Sequence, residues 1–193
     1  MKNKPSAAVD VLRRLPSPLF TSADAAKLIP HENVFLFRAS KKGYVKRIAN
    51  RVYWNALFSR TPPTVEEVAC FARQPSYISC EWALNYHGIL LQTPTVCTAI
   101  TLHPGIGKRN RVAYGEHVIE YSKIAEALYL PEEILRLDNV LMATPEKALL
   151  DAAYLRRHVP FADELEKDLL DRKKLAKIAA LYPAHVRRAV EDL

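Results

Sequence analysis

Thr21-Ser22-Ala23-Asp24-Ala25-Ala26-Lys27-Leu28-Ile29-Pro30-His31-Glu32-Asn33-Val34-Phe35-Leu36-Phe37-Arg38-Ala39-Ser40-Lys41-Lys42-Gly43 reads as two helices and the turn between them. Thr21 or Ser22 offers an N-cap oxygen to an orphan amide, and Asp24 suits the positive end of the helix dipole. Pro30 disfavours helical geometry at Ile29, so the first helix is expected to stop there. Pro30-His31-Glu32 is then a tight turn, and Asn33 the cap of a second helix reaching Lys42. Gly43 can take the left-handed conformation that closes a helix. Helix, short turn, helix is the spacing of a helix-turn-helix.

At about 100° per residue, Val34, Arg38, Lys41 and Lys42 fall on one side of the second helix. Leu36, Ala39 and Ser40 fall on the other, with Phe35 and Phe37 expected to pack on the flanks. Upstream, Ala7 to Leu15 reads as a short helix ending before Pro16 and Pro18. Downstream, Tyr44-Val45-Lys46-Arg47-Ile48 and Arg51-Val52-Tyr53-Trp54 are β-prone runs around Ala49-Asn50. Asn tolerates the positive φ of a tight hairpin turn. A hairpin directly after the second helix is a wing. Six cations lie between Arg38 and Arg51 (Arg38, Lys41, Lys42, Lys46, Arg47 and Arg51), with no acid among them. The competing reading is a solvated basic face on an ordinary helix.

The distribution of charge favours the first reading. Residues 1–60 hold 12 Lys and Arg against three acids (Asp10, Asp24 and Glu32), a net +9. Residues 61–193 hold 16 against 18, a net −2, which returns the whole-chain +7. A sixty-residue segment with that excess suits a polyanion. DNA and a membrane surface both qualify, so charge alone does not choose. A chain of 193 residues, 49% hydrophobic, fits one large domain or two small ones. No stretch reaches the roughly 18 uncharged apolar residues of a membrane helix. Met1-Lys2-Asn3-Lys4-Pro5 is a basic start with no apolar run after it, unlike a secretory signal. Cys70, Cys80 and Cys97 match no zinc or disulfide framework and read as buried thiols of a cytoplasmic protein.

Thr61-Pro62-Pro63-Thr64 is the expected linker, giving domains at 1–60 and 64–193. Thr64 is expected to cap a helix through Phe71. Ser79 caps another from Cys80 to His87, closed by Gly88. Val96 to Leu102 alternates as a half-buried strand should. His103-Pro104-Gly105-Ile106-Gly107 is a turn, and Arg111 to Tyr121 one or two strands. Asn139 to Ala143 is a short apolar strand. Thr144 and Pro145 start a helix to about Arg157. From Ala162 onward the chain reads as helical, broken at Pro183.

The second domain offers little chemistry. Gly105-Ile106-Gly107-Lys108 lacks the spacing of a P-loop, with Arg109 and Asn110 where a Ser or Thr belongs. His31, His87, His103, His117, His158 and His185 have no metal-ligand spacing, so neither a metal nor another cofactor is expected. His87 is expected to stabilise its helix end through the dipole. Ser79 has no nucleophile elbow around it. Glu146, Lys147 and Asp151 form the strongest candidate: a carboxylate, an amine and a second carboxylate suit phosphoryl or nuclease chemistry. The blander reading makes Lys147 and Asp151 an exposed i,i+4 pair.

Several runs together resemble the AbiEi family, the antitoxins of bacterial abortive-infection toxin–antitoxin pairs. They are Ser22-Ala23-Asp24-Ala25-Ala26, then Lys42-Gly43-Tyr44-Val45-Lys46-Arg47-Ile48 leading into Arg51-Val52-Tyr53. Two further runs are more specific: Pro75-Ser76-Tyr77-Ile78-Ser79-Cys80-Glu81-Trp82-Ala83-Leu84-Asn85-Tyr86-His87-Gly88 and Asn139-Val140-Leu141-Met142-Ala143-Thr144-Pro145-Glu146-Lys147-Ala148-Leu149-Leu150-Asp151. The resemblance spans roughly residues 7–157. It departs at the wing tip, where the family often has Gly before Val-Tyr and this chain has Asn50-Arg51. It implies an autorepressor that binds inverted repeats of double-stranded operator DNA. It also implies an antitoxin that counteracts a nucleotidyltransferase-class toxin in the type IV manner, in which a stable complex is not required.

The expected fold is therefore α+β, an N-terminal winged helix-turn-helix followed by a mixed helix and strand domain with a helical tail. Arg38, Lys41 and Lys42 would face the groove, and Lys46, Arg47 and Arg51 the DNA backbone around the wing tip at Asn50. No enzymatic activity, membrane partner or metal enters this reading. The rivals are a nucleic-acid-modifying enzyme built on Glu146, Lys147 and Asp151, and a membrane or scaffold adaptor.

Overall fold

The computed structural model describes residues 7–103, 110–191 and 193. Met1 to Pro5, and the expected turn and P-loop candidate from Pro104 to Arg109, lie outside the described residues. The chain is mixed α and β and divides into two compact units, Met1–Thr64 and Val65–Leu193.

In the first unit α1 (Ala7–Arg13) precedes β1 (Leu19–Thr21), α2 (Ser22–Ala26), α3 (Glu32–Lys41), β2 (Lys46–Ala49) and β3 (Val52–Trp54). The sheet order is β1-β3-β2, antiparallel throughout. Leu12, Phe20, Ala25, Leu36, Ala39 and Val45 make its core. Asn55 closes it by donating its side-chain amide to the Leu12 carbonyl at 2.9 Å. The expected cap of α2 forms as a reciprocal box. Thr21 Oγ1 accepts from the Asp24 amide, and Asp24 Oδ2 accepts from the Thr21 amide. Regular helix ends at Ala26, although Ile29 still donates to Ala25.

Three local expectations are corrected. Asn33 does not cap α3. His31 holds that position at φ 58°, reversing the chain early enough to put Asn33 inside the first turn, where it donates to Glu32. Ser40 is exposed rather than inward, because Phe35, Leu36 and Ala39 alone face the core. The positive φ of the hairpin falls on Arg51 (60°), not Asn50, because the register shifts between Arg47 and Ala49 and moves the apex along by one. Gly43 closes α3 as expected, at φ +72°.

The second unit is built on a six-stranded sheet ordered β6-β7-β5-β4-β9-β8. Its strands are β4 (Ser76–Ile78), β5 (Val96–Thr101), β6 (Arg111–Tyr114), β7 (His117–Lys123), β8 (Ile134–Leu137) and β9 (Val140–Ala143). β5 pairs parallel with β7 and β4 with β9; the other pairs are antiparallel. The helices are α4 (Val65–Ala72), α5 (Cys80–Tyr86), α6 (Pro145–Arg156), α7 (Arg172–Ala179) and α8 (Ala184–Glu191). β5 is not half-buried as its alternation suggested. Cys97 to Thr101 are all buried, because strands flank it on both sides and helices cover the sheet. The tail is not continuous helix from Ala162. A 3-10 turn at Lys167–Leu169 intervenes, and Asp171 caps α7 by accepting from the amides of Lys173 and Lys174 at 2.9 and 3.0 Å. All three cysteines are free and buried. Burial pushes the Cys70 thiol up to about 11 and those of Cys80 and Cys97 higher still.

Candidate nucleic-acid interface

In the first unit the sequence-predicted residues are all on the surface. Arg38, Lys41 and Lys42 stand on the outer side of α3 and at its end. Lys46, Arg47, Asn50 and Arg51 are exposed along β2 and the hairpin apex. None of the six cations forms an ion pair among the described residues. Their positive charge is therefore available to an outside partner. Arg38, Lys41 and Lys42 also line one cleft of about 700 Å³.

Aromatic side chains are interleaved with these cations. Lys41 Nζ lies 5.0 Å from the centroid of Phe37, Lys42 Nζ 5.9 Å from that of Tyr44, and Lys46 Nζ 5.3 Å from that of Trp54. Such contacts favour particular rotamers without neutralising the ammonium. Arg47 is anchored differently. Its guanidinium donates to the Ala49 carbonyl and the Asn50 side-chain oxygen, so Arg47 and Asn50 help to hold the hairpin tip. Phe37 is a correction. It was expected to pack, yet it is 62% exposed, beside Val34 at 50%. The signal was present in the helical wheel, since residue 37 lies three after Val34 and four before Lys41, on their side of the helix.

The second unit brings Lys147 and Asp151 together, but not as an exposed pair. Both side chains have 0% exposure, with Nζ and Oδ1 3.1 Å apart. Lys147 also donates to the Leu128 carbonyl at 2.8 Å and to the Tyr182 hydroxyl at 3.2 Å, which engages all three of its protons. Asp151 accepts from Tyr77 (3.0 Å) and Ser79 (2.7 Å) on one oxygen and from Tyr182 (2.6 Å) on the other. Burial, then the Asp151 charge, pushes the Tyr77 and Tyr182 phenols far above their ordinary range, so both remain donors. Ser79 is thus no side-chain cap: it sits at the start of α5, but its hydroxyl is committed to Asp151. Thr144 likewise holds the N-cap position of α6 as expected, but its hydroxyl donates to Glu133.

Glu146 turns away from the Lys147–Asp151 pair. It accepts from the Asp171 amide at 3.0 Å and pairs with Lys174 at 3.2 Å. His87 stands at the C-cap of α5 as expected, and its Nε2 meets the Ala143 carbonyl at 2.8 Å. No signal in the sequence pointed to Tyr77 and Tyr182 in this cluster, because they lie 74 and 31 residues from Asp151. A cluster so fully bonded internally holds elements together and leaves no donor over for a reacting group.

No family model matches the chain, and no curated protein matches it. A solved structure does. The chain is similar to the RV2827C protein from Mycobacterium tuberculosis, with a TM-score of 0.54 and 15% identity. The match covers 93% of this chain and 71% of that one. At that identity the likeness is one of fold alone. Among the described residues no helix is long and apolar enough to cross a membrane.

Proposed function

We propose that this chain is a DNA-binding transcriptional autorepressor and antitoxin of the AbiEi type, with its first unit acting as a winged helix-turn-helix. The observation that carries the DNA half is the set of six exposed cations on α3, its end and the β2–β3 hairpin, none in an ion pair among the described residues. In this reading α3 enters the major groove, where side chains reach base edges, and the hairpin is the wing on phosphates. The antitoxin half rests on the sequence resemblance, and the partner it implies is a nucleotidyltransferase-class toxin. No catalytic step belongs to the reading. The internal saturation of Lys147 and Asp151 gives no support to the enzymatic rival.

The test is a titration of the full chain against duplex DNA from immediately upstream of its own reading frame, at several salt concentrations. With about five phosphate contacts, log affinity should fall against log salt with a slope of roughly −4 to −5. A slope near zero, or no binding, would overturn the DNA reading. The reading requires a nucleotidyltransferase gene beside this reading frame, and co-expression should relieve the growth arrest that its product causes; no such gene, or continued arrest, would overturn the antitoxin half.

A further inference from the structure

Two apolar side chains stand within the basic surface of the first unit. Val34 is 50% exposed and Phe37 62%. Taking Val34 as origin and about 100° per residue, Phe37 lies about 60° to one side, Arg38 about 40° to the other and Lys41 about 20° from it. The four share an arc of about 100°, opposite the buried Phe35, Leu36 and Ala39. Val34 and Phe37 also line the cleft that Arg38 and Lys41 border, together with Ile29 and Pro30. The Lys41 ammonium 5.0 Å from the Phe37 ring centroid holds that ring beside the cations.

An exposed apolar pair rimmed by charge marks a contact surface. Charge complementarity selects the occupant. The rim is cationic, so the partner is anionic around an apolar centre. The major groove of duplex DNA meets both conditions, with phosphates along its edges and thymine 5-methyl groups on its floor. Arginine reads guanine there, and an apolar side chain is what a thymine methyl accepts.

We propose that Val34 and Phe37 are specificity-determining residues that contact thymine methyl groups, beside the base pair read by Arg38. The inference rests on the DNA-binding reading above and adds the base chemistry to it. A half-site then requires at least one thymine next to the position Arg38 contacts. Phe37 supplies most of the apolar contact, with Val34 at its edge.

The test compares two duplexes from immediately upstream of the reading frame, identical in sequence. One is amplified with thymidine triphosphate and the other with deoxyuridine triphosphate, which lacks only the 5-methyl group. Losing one buried methyl costs about fourfold in affinity. With one methyl contacted at each of two half-sites, the wild-type chain should bind the uracil duplex on the order of tenfold more weakly. Phe37→Ala should bind the thymine duplex more weakly and lose most of that discrimination. Phe37→Leu should keep part of it. Phe37 is 62% exposed, so these changes should leave the fold intact, which Trp54 fluorescence in a Trp82→Phe background checks.

Each outcome is decisive. If the wild type binds both duplexes equally, the methyl inference fails while the DNA reading stands. If the tenfold ratio persists in both Phe37→Ala and Val34→Ala, the methyls are read elsewhere and the assignment fails. If neither duplex binds, the DNA reading itself fails and a protein or membrane partner takes the patch.

Discussion

Lys147→Met removes the cation from the buried cluster of the second unit while keeping a long unbranched side chain. The change in packing is therefore small. The loss is in charge compensation. Both Lys147 and Asp151 have 0% exposure. Removing one partner of a buried pair costs about 3–5 kcal/mol. Asp151 would keep three hydroxyl donors, from Tyr77, Ser79 and Tyr182, which moderates the cost. The Leu128 carbonyl would lose the Lys147 donor, which adds to it. The expected loss is about 3–4 kcal/mol. The chain has two tryptophans, Trp54 in the first unit and Trp82 in the second, so a Trp54→Phe background leaves Trp82 as sole reporter. With a urea slope of about 1–3 kcal/mol per molar, the midpoint should fall by more than about 1 M. Adding Asp151→Leu should not restore the parent stability. It would strand three hydroxyls, each costing about 1–3 kcal/mol. An unchanged midpoint for Lys147→Met, or full recovery in the double variant, would refute the structural role of the pair.

Two further predictions concern the first unit. Arg38→Ala should cost about 1–3 kcal/mol of operator binding and relax preference at one base pair per half-site. Arg51→Ala should weaken operator and random DNA alike and lower the salt slope by about one unit. Binding to both DNAs at two salt concentrations checks this, and an exchange of the two behaviours would make the hairpin the reader. Asp24 is held below its ordinary value of 3.8: burial raises it, but hydrogen bonds from the Thr21 amide and hydroxyl and from Lys27 outweigh that. Its contribution is therefore present above the unfolded value and lost as pH falls through the folded one. The first unit, followed by Trp54 in a Trp82→Phe background, should lose stability below about pH 4. Asp24→Asn should flatten that dependence, and an identical pH profile in the variant would count against the capping box. Thr21→Ala should cost about 1 kcal/mol at neutral pH.

What could be read from the sequence was local. The cap at Thr21 or Ser22 with Asp24 in the first turn, the stop before Pro30, the closing Gly43 and the basic side of α3 depend on residues within a turn or two of one another. Their chemistry is therefore visible in order along the chain. The same reasoning fixed a helix from Pro145 but left its environment open. Nothing near Lys147 signals burial, since Ala and Leu surround it on the page as they would on many half-exposed helices. Burial there comes from Tyr77, Ser79 and Tyr182, which only the packed sheet and the last two helices bring to Asp151. The same limit applies to β5: its alternation is that of a one-faced strand, and only its central place in the sheet buries both faces. Phe37 shows the converse. A hydrophobic side chain is expected inside; its wheel position beside Val34 and Lys41 pointed outward, and the packing of Phe35, Leu36 and Ala39 into the core leaves it exposed among the cations. The sequence by itself determined the local elements and the sign of the charge, because these follow from near neighbours. Tertiary packing decided which polar groups were buried together and which apolar ones remained exposed, because burial is set by residues far apart in the chain.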